Sequence, residues 1–232
     1  MILKFEDIVK DQLVLHLDTT KTDCYPRTGQ MMYNLITPSD VGYLSGGTVF
    51  NTTNGSMDFN GTDAYIDFPL PNSFTQGSMT GFSISVWVIN SGDTGGITTL
   101  WAGPTSDNGI ELEMYFGDVY VAFTSSDYGY FTYGIMNQWV NLTFTYDGSG
   151  LTDSDKLKFY TNGISTPLIY GGVIPSSIDM TNMLSFLLGV IRPFSIPARY
   201  LQGEIGHVLG YSKSLTATEV LQNYNATKAW FV

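Results

Sequence analysis

The sequence predicts an all-β protein, two antiparallel sheets packed as a sandwich with one short helix at the C-terminus. Three observations carry that prediction. Apolar and polar residues alternate with a period of two along most of the chain. Turn-forming clusters ("SGG", "NGT", "SGDTGG", "FGD", "DGSG", "TNG") separate the alternating runs. The last stretch then changes from strand spacing to helix spacing behind a capping signal. At 232 residues the chain is long enough for one such sandwich with a sizeable core.

The elements follow in order. Leu13, Leu15 and Leu17 share one face of a first strand, with Val14, His16 and Asp18 on the other. Segment 21–42 holds Pro26 and Pro38 and little alternation, and reads as a long loop crossing a sheet edge. Alternating runs return at Ala64–Phe68, Phe82–Val88, Ile110–Phe116, Val119–Phe123, Val140–Tyr146 and Leu157–Phe159. About a dozen strands are expected in all, at the spacing of a sandwich. Thr216 and Glu219 have the spacing of a capping box, in which each side chain satisfies a free donor of the first turn. Val220, Leu221 and Tyr224 then form one apolar stripe. No low-complexity linker or fixed repeat interrupts the series, so one domain over residues 12–232 is expected, with residues 1–11 as an N-terminal arm.

Composition narrows the function. Ten Lys and Arg against 21 Asp and Glu leave a net charge of −11. Phosphate recognition needs a basic face, so a nucleic-acid partner is not expected, and an anionic membrane would repel the chain. No segment reaches 18 apolar residues and no apolar run of signal-peptide length opens the chain. The expectation is a protein made in a cytoplasm without a secretion signal. The single cysteine, Cys24, allows no internal disulfide and reads as a buried structural thiol. Five Asn-x-Ser/Thr sequons reflect an Asn- and Thr-rich composition and carry no functional reading.

The ending "LQGEIGHVLGYSKSLTATEVLQNYNATK" (201–228) resembles the close of laminin-G/concanavalin-A-like jelly-roll domains, at Leu201, Gly203, Ile205, Tyr211, Leu215, Thr216, Glu219 and Val220. Four further stretches are similar to that family's motifs in the expected order: "FNGTDAYIDF" (59–68), "FSISVWV" (82–88), "QWVNLTFTYDG" (138–148) and "LKFYTNG" (157–163). The resemblance covers residues 13–228. The opening "LVLHLD" (13–18) with the closing "NYNATK" (223–228) resembles stand-alone versions found in bacteriophage virion proteins.

Glycoside hydrolases of this fold carry a Glu-x-Asp-x-Glu strand, whose alternation aims every carboxylate into one cleft. Here "GIELEMYFGD" supplies Glu111 and Glu113, but Tyr115 occupies the third position and Asp118 lies past a glycine turn. The pair reads as the polar outer face of a strand, so no catalytic residue is assigned and the protein is expected not to be an enzyme. His16 and His207 are the only histidines, and first and last strands can be neighbours in a jelly roll. They read as structural, because the sequence marks no further partners for a metal or triad site.

Binding residues are more legible. Exposed aromatics beside hydrogen-bonding side chains suit sugars, and Tyr and Trp offer rigid area with a polar edge. The candidates are Trp101, Asp127, Tyr128, Tyr130 and Tyr133. No cofactor is required, although the resemblance implies Ca2+ as an optional ligand of oxygen-rich rim loops. Its candidate ligands are Asp107, Asn108, Asp147, Asp153 and Asp155. The combined expectation is a non-enzymatic phage virion surface protein, for capsid decoration or a fibre. It would dock on other virion proteins, in a trimer if it sits on a fibre or capsid three-fold, and bind host or environmental glycans. A soluble lectin-type module and a glycoside hydrolase are the alternatives.

Overall fold

A computed structural model describes residues 7–74, 77–101, 109–134, 136–191 and 198–232. Its first sheet runs, in spatial order, Ile164–Thr166, Leu157–Thr161, Met136–Asp147, Gly81–Asn90, Gln202–Tyr211, Ser56–Asn60 and Val49–Asn51. Strand Leu13–Asp18 joins it along the far half of Gln202–Tyr211. The last strand pairs with Ser56–Asn60 through residues 202–205 and with Leu13–Asp18 through 207–211, and its register against Gly81–Asn90 shifts between Ile205 and His207. The second sheet runs Ile169–Gly171, Tyr128–Thr132, Asp118–Ala122, Gly109–Tyr115, Thr94–Trp101, Ser185–Leu188, Tyr65–Pro69, Val41–Ser45 and Met31–Tyr33. Every pairing in both sheets is antiparallel.

The inward positions predicted from alternation meet between the sheets. Leu15, Leu17, Phe68, Phe82, Ile84, Phe144 and Phe159 belong to one continuous buried core. Phe82 lies edge-on to Phe144 at 5.6 Å between ring centroids, an arrangement the ring quadrupoles favour. Cys24 is fully buried, and burial pushes its thiol up to about 12, as suits a structural residue.

Helix Ala217–Thr227 forms behind the predicted capping box, with both reciprocal bonds of Thr216 and Glu219 present. It covers the outer face of the first sheet. Its buried side is not the expected Val220–Leu221–Tyr224 stripe: Leu221 is exposed, while Val220, Asn223 and Thr227 are buried. The polar pair goes inside because each finds partners there. Asn223 accepts from the Val9 amide and donates to the Tyr211 hydroxyl, and Thr227 accepts from the Trp87 indole. Residues 7–11 are tied to the same region, since Tyr211 donates to the Val9 carbonyl and Lys213 pairs with Asp11.

Two other expectations change. Segment 21–42 is not all loop, because Met31–Tyr33 pairs with Val41–Ser45 and ends the second sheet. The "SGDTGG" cluster is only partly a turn, since strand Thr94–Trp101 already includes Gly95 and Gly96. These glycines sit beneath a small hairpin, Val190–Ile191 with Arg199–Tyr200, that lies across the sheet. A Cβ on Gly96 would collide with the backbone of Val190 and Ile191. Glycine is used there for close backbone approach rather than for turning.

Candidate functional site

The helix covers the outer face of the first sheet, and the candidate surface is the second sheet's outer face, which the small hairpin crosses at Gly95 and Gly96. Its central rows are set by register. Glu113 lies opposite Gly96 and Tyr120, and Tyr120 lies opposite Tyr130. One row along, Glu111 lies opposite Thr99 and Ala122, and Ala122 lies opposite Tyr128. Residues that face each other across antiparallel strands share a side, so two carboxylates and three tyrosines converge on one surface. Tyr120 stacks on Tyr130 at 5.0 Å and meets Tyr128 edge-on at 5.5 Å. Tyr115 extends the row toward the turn between Gly109–Tyr115 and Asp118–Ala122, 6.5 Å from Tyr120.

The small hairpin supplies a wall and a charge. Arg199 donates from Nε to the Glu113 Oε2 at 3.0 Å and from Nη2 to the same oxygen. Its guanidinium also lies 4.8 Å from the centre of the Tyr115 ring, a cation–π contact. Glu113 is buried, and the Arg199 contact compensates that burial. Among the described residues Glu111 has no ion pair, and the Arg199 charge only partly offsets its burial. Burial first, and then the neighbouring Glu113 charge, push its carboxyl up to about 7.

That shift has a stability consequence. A carboxyl raised in the fold binds its proton more tightly folded than unfolded, so the native state holds more protons between the ordinary carboxylate range and about 7. Stability therefore falls as pH rises through that window. Substituting Glu111→Gln should remove much of the fall, raising the melting temperature at pH 8 more than at pH 5. Equal melting gains at both pH values would show that Glu111 is not the group responsible.

The turn between strands Gly109–Tyr115 and Asp118–Ala122 is unusual. Phe116 is 72% exposed and adopts φ 48°, beside Gly117 at φ 87°. Positive φ at both central residues is what a type I′ hairpin turn demands, and Asn-Gly is its preferred sequence. A bulky phenylalanine there costs about 1 kcal/mol of backbone strain. Its ring rests 4.6 Å from Tyr115, so it extends the aromatic surface instead of filling the core. Phe116→Asn should raise stability by about 1 kcal/mol, a gain of about 2–4 °C in Tm at this chain length. An unchanged or lower Tm would mean that the Phe116–Tyr115 contact outweighs the strain.

The sequence-derived residues are distributed unevenly over this surface. Tyr128 and Tyr130 lie on it, whereas Tyr133 faces the interior side and meets Phe131 at 6.0 Å. Asp127 accepts from the Thr124 hydroxyl and the Val173 amide, which hold its carboxyl below the usual range. It is therefore a turn-closing group beside the face. Trp101 closes strand Thr94–Trp101, opposite Gly109 and Ser185, while its side chain lies outside the described residues. Asp107 and Asn108 also lie outside them.

The remaining calcium candidates are on one rim. Asp147 accepts from the amide and hydroxyl of Ser149, and Asp153 accepts from the Ile174 amide. Asp155 completes a capping box with Thr152. Each carboxylate is thus engaged with nearby backbone. Asp147 also borders an open polar groove of 450 Å3 beside Lys213.

Tyr115, Phe116, Tyr120 and Arg199 escaped sequence reading as site residues. Tyr115 entered it as a position lacking a carboxylate, and Phe116 also as the apolar end of the alternating run Ile110–Phe116, whereas the strand stops at Tyr115 and Phe116 is exposed in the turn. Arg199 reaches the face through a hairpin whose placement no local pattern encodes.

Two stacked antiparallel sheets of this topology define a jelly-roll fold. The chain belongs to the concanavalin A-like lectin/glucanases superfamily, whose laminin-G-type model matches residues 60–221. No curated protein matches the chain by sequence. Among solved structures it is similar to domain 4 of AbnA, an extracellular arabinanase from Geobacillus stearothermophilus in complex with arabinotriose. There identity is 20%, coverage 92% of this chain and 98% of that one, and the TM-score 0.65. It is also similar to the receptor-binding domain of a botulinum neurotoxin C/D mosaic serotype, at 16% identity, 94% and 52% coverage and TM-score 0.63. The sialidase of Trypanosoma rangeli matches at 11% identity, 95% and 33% coverage and TM-score 0.67. The chain thus spans about half of the toxin domain and a third of the sialidase. At these identities the likeness establishes the fold.

Proposed function

We propose that this chain is a non-enzymatic carbohydrate-binding domain displayed on the outside of a phage virion, taking its glycan on the tyrosine face of the second sheet. The supporting observation is the Tyr120–Tyr130 stack with Tyr115, Tyr128, Glu111 and Arg199 around it. Sugar rings present apolar C–H faces and a rim of hydroxyls. Flat aromatics pack the first, and carboxylates and guanidinium groups hydrogen-bond the second. The arabinotriose bound by the similar arabinanase domain and the SialylT complex of a botulinum toxin domain lend analogy to this reading. The virion part of the proposal rests on the resemblance of "LVLHLD" and "NYNATK" to phage proteins and on the acidic composition. Docking on capsid or fibre proteins would use the N-terminal arm or a sheet face other than the tyrosine face.

A glycan array probed with the whole chain tests the binding. Specific retention is expected, and Tyr120→Ala should weaken it about 30-fold, the scale of a 2 kcal/mol aromatic hot spot. Specific retention that Tyr120→Ala leaves unchanged would move the site elsewhere, and no retention would sink the glycan reading. Finding the chain by mass spectrometry and cryo-EM as stoichiometric external density on particles tests the virion part independently.

One observation favours glycoside hydrolysis as a second reading. Glu111 titrates near 7 beside a second carboxylate, which is how a general acid is kept protonated at neutral pH. Polysaccharide cleavage abolished by Glu111→Gln would establish it.

A further inference from the structure

We propose that His16, Asp18 and His207 form a divalent transition-metal site, of the Zn2+ class, that ties the first strand to the last. The two histidines are 191 positions apart in sequence, yet their Nε2 atoms face each other at 3.1 Å. Among the described residues this trio alone brings ligand atoms of three or more His, Cys, Asp or Glu within 4.8 Å of one another. The register makes this possible, since Asp18 pairs with His207 and His16 with Leu209.

The geometry suits a metal. Two nitrogens 3.1 Å apart, each about 2.05 Å from a common ion, subtend roughly 100° at it, between octahedral and tetrahedral angles. Two imidazoles and one carboxylate are a borderline-to-hard donor set, matching Zn2+ rather than Ca2+. Asp18 is buried with its Oδ1 held by the Thr20 amide, which fixes the carboxylate beside the pair. His16 is only partly buried, so one ligand of the trio meets solvent. Without a metal the same contact is one hydrogen bond between two neutral rings, which needs one donor and one acceptor tautomer. The site lies on the first sheet, away from the tyrosine face, and would act as a staple on the fold.

The test uses the full chain without a polyhistidine tag, stripped with EDTA and dialysed. Zn2+ titrated by calorimetry should bind at one ion per chain and raise the melting temperature. Co2+ should give visible d–d absorption. His16→Gln, at the partly exposed ligand, should keep the fold while weakening Zn2+ more than about 10-fold and abolishing the Co2+ band. Asp18→Asn should weaken Zn2+ as well. The proposal is overturned if the wild type takes up no Zn2+ at about 1 mM, or if binding and the melting shift survive His16→Gln.

Discussion

Replacing Trp87 with alanine should cost about 4 kcal/mol and lower the melting temperature by about 10 °C. Trp87 lies in the central Gly81–Asn90 strand, is fully buried, and points away from the inter-sheet core. Its ring stacks on Phe231 at 4.7 Å and on Tyr224 at 5.7 Å, and its indole N–H donates to Thr227 at 2.8 Å. Truncation would therefore remove a large apolar contact and free the acceptor that orients the end of the helix. Trp87→Phe separates these terms, since it retains stacking and should cost only about 1 kcal/mol for the lost hydrogen bond. Thermal unfolding followed by circular dichroism reads both. A Trp87→Ala shift below about 3 °C would mean that the helix and tail contribute little to the fold.

Replacing Arg199 with methionine should be nearly as costly, and the cost should depend on pH. The guanidinium carries both hydrogen bonds to the buried Glu113 and lies over Tyr115. Removing one partner of a buried pair strands the other charge, an effect of about 3 kcal/mol once partial exposure is allowed for. Glu113 can escape by taking a proton, because burial already raises its carboxyl even with Arg199 present. The destabilisation should therefore be large at pH 8 and small at pH 5. The sign follows from linkage: in the variant the native state binds a proton that the unfolded chain releases, so stability falls as pH rises. Equal losses at both pH values would indicate that Arg199 matters for packing alone. Because the same side chain borders the tyrosine face, glycan retention should fall at pH 5 even where stability is preserved.

Much of the fold was legible because alternation and burial are the same fact viewed twice. Leu13–Asp18, Phe82–Val88 and Val140–Tyr146 showed their inward faces directly, and the Thr216–Glu219 capping box located the helix. The site was legible only in part. Tyr128 and Tyr130 are aromatics next to a turn, whereas Tyr120 lies among the apolar residues Val119, Val121 and Phe123 of one alternating run. Glu111 and Glu113 showed alternation without burial, and burial is what raises the first and pairs the second.

Local pattern by itself determined most of the longer strands, the capped helix, the acidic composition and the family, since each depends on residues near one another in the chain. Strand order and the crossing of distant segments were decided only by the tertiary structure. Arg199 meets Glu113 across 86 positions, Trp87 meets Thr227 across 140, and His16 meets His207 across 191. No local period encodes such pairs. They arise when register, a bulge after Ile205 and the close approach allowed by Gly96 bring the segments together.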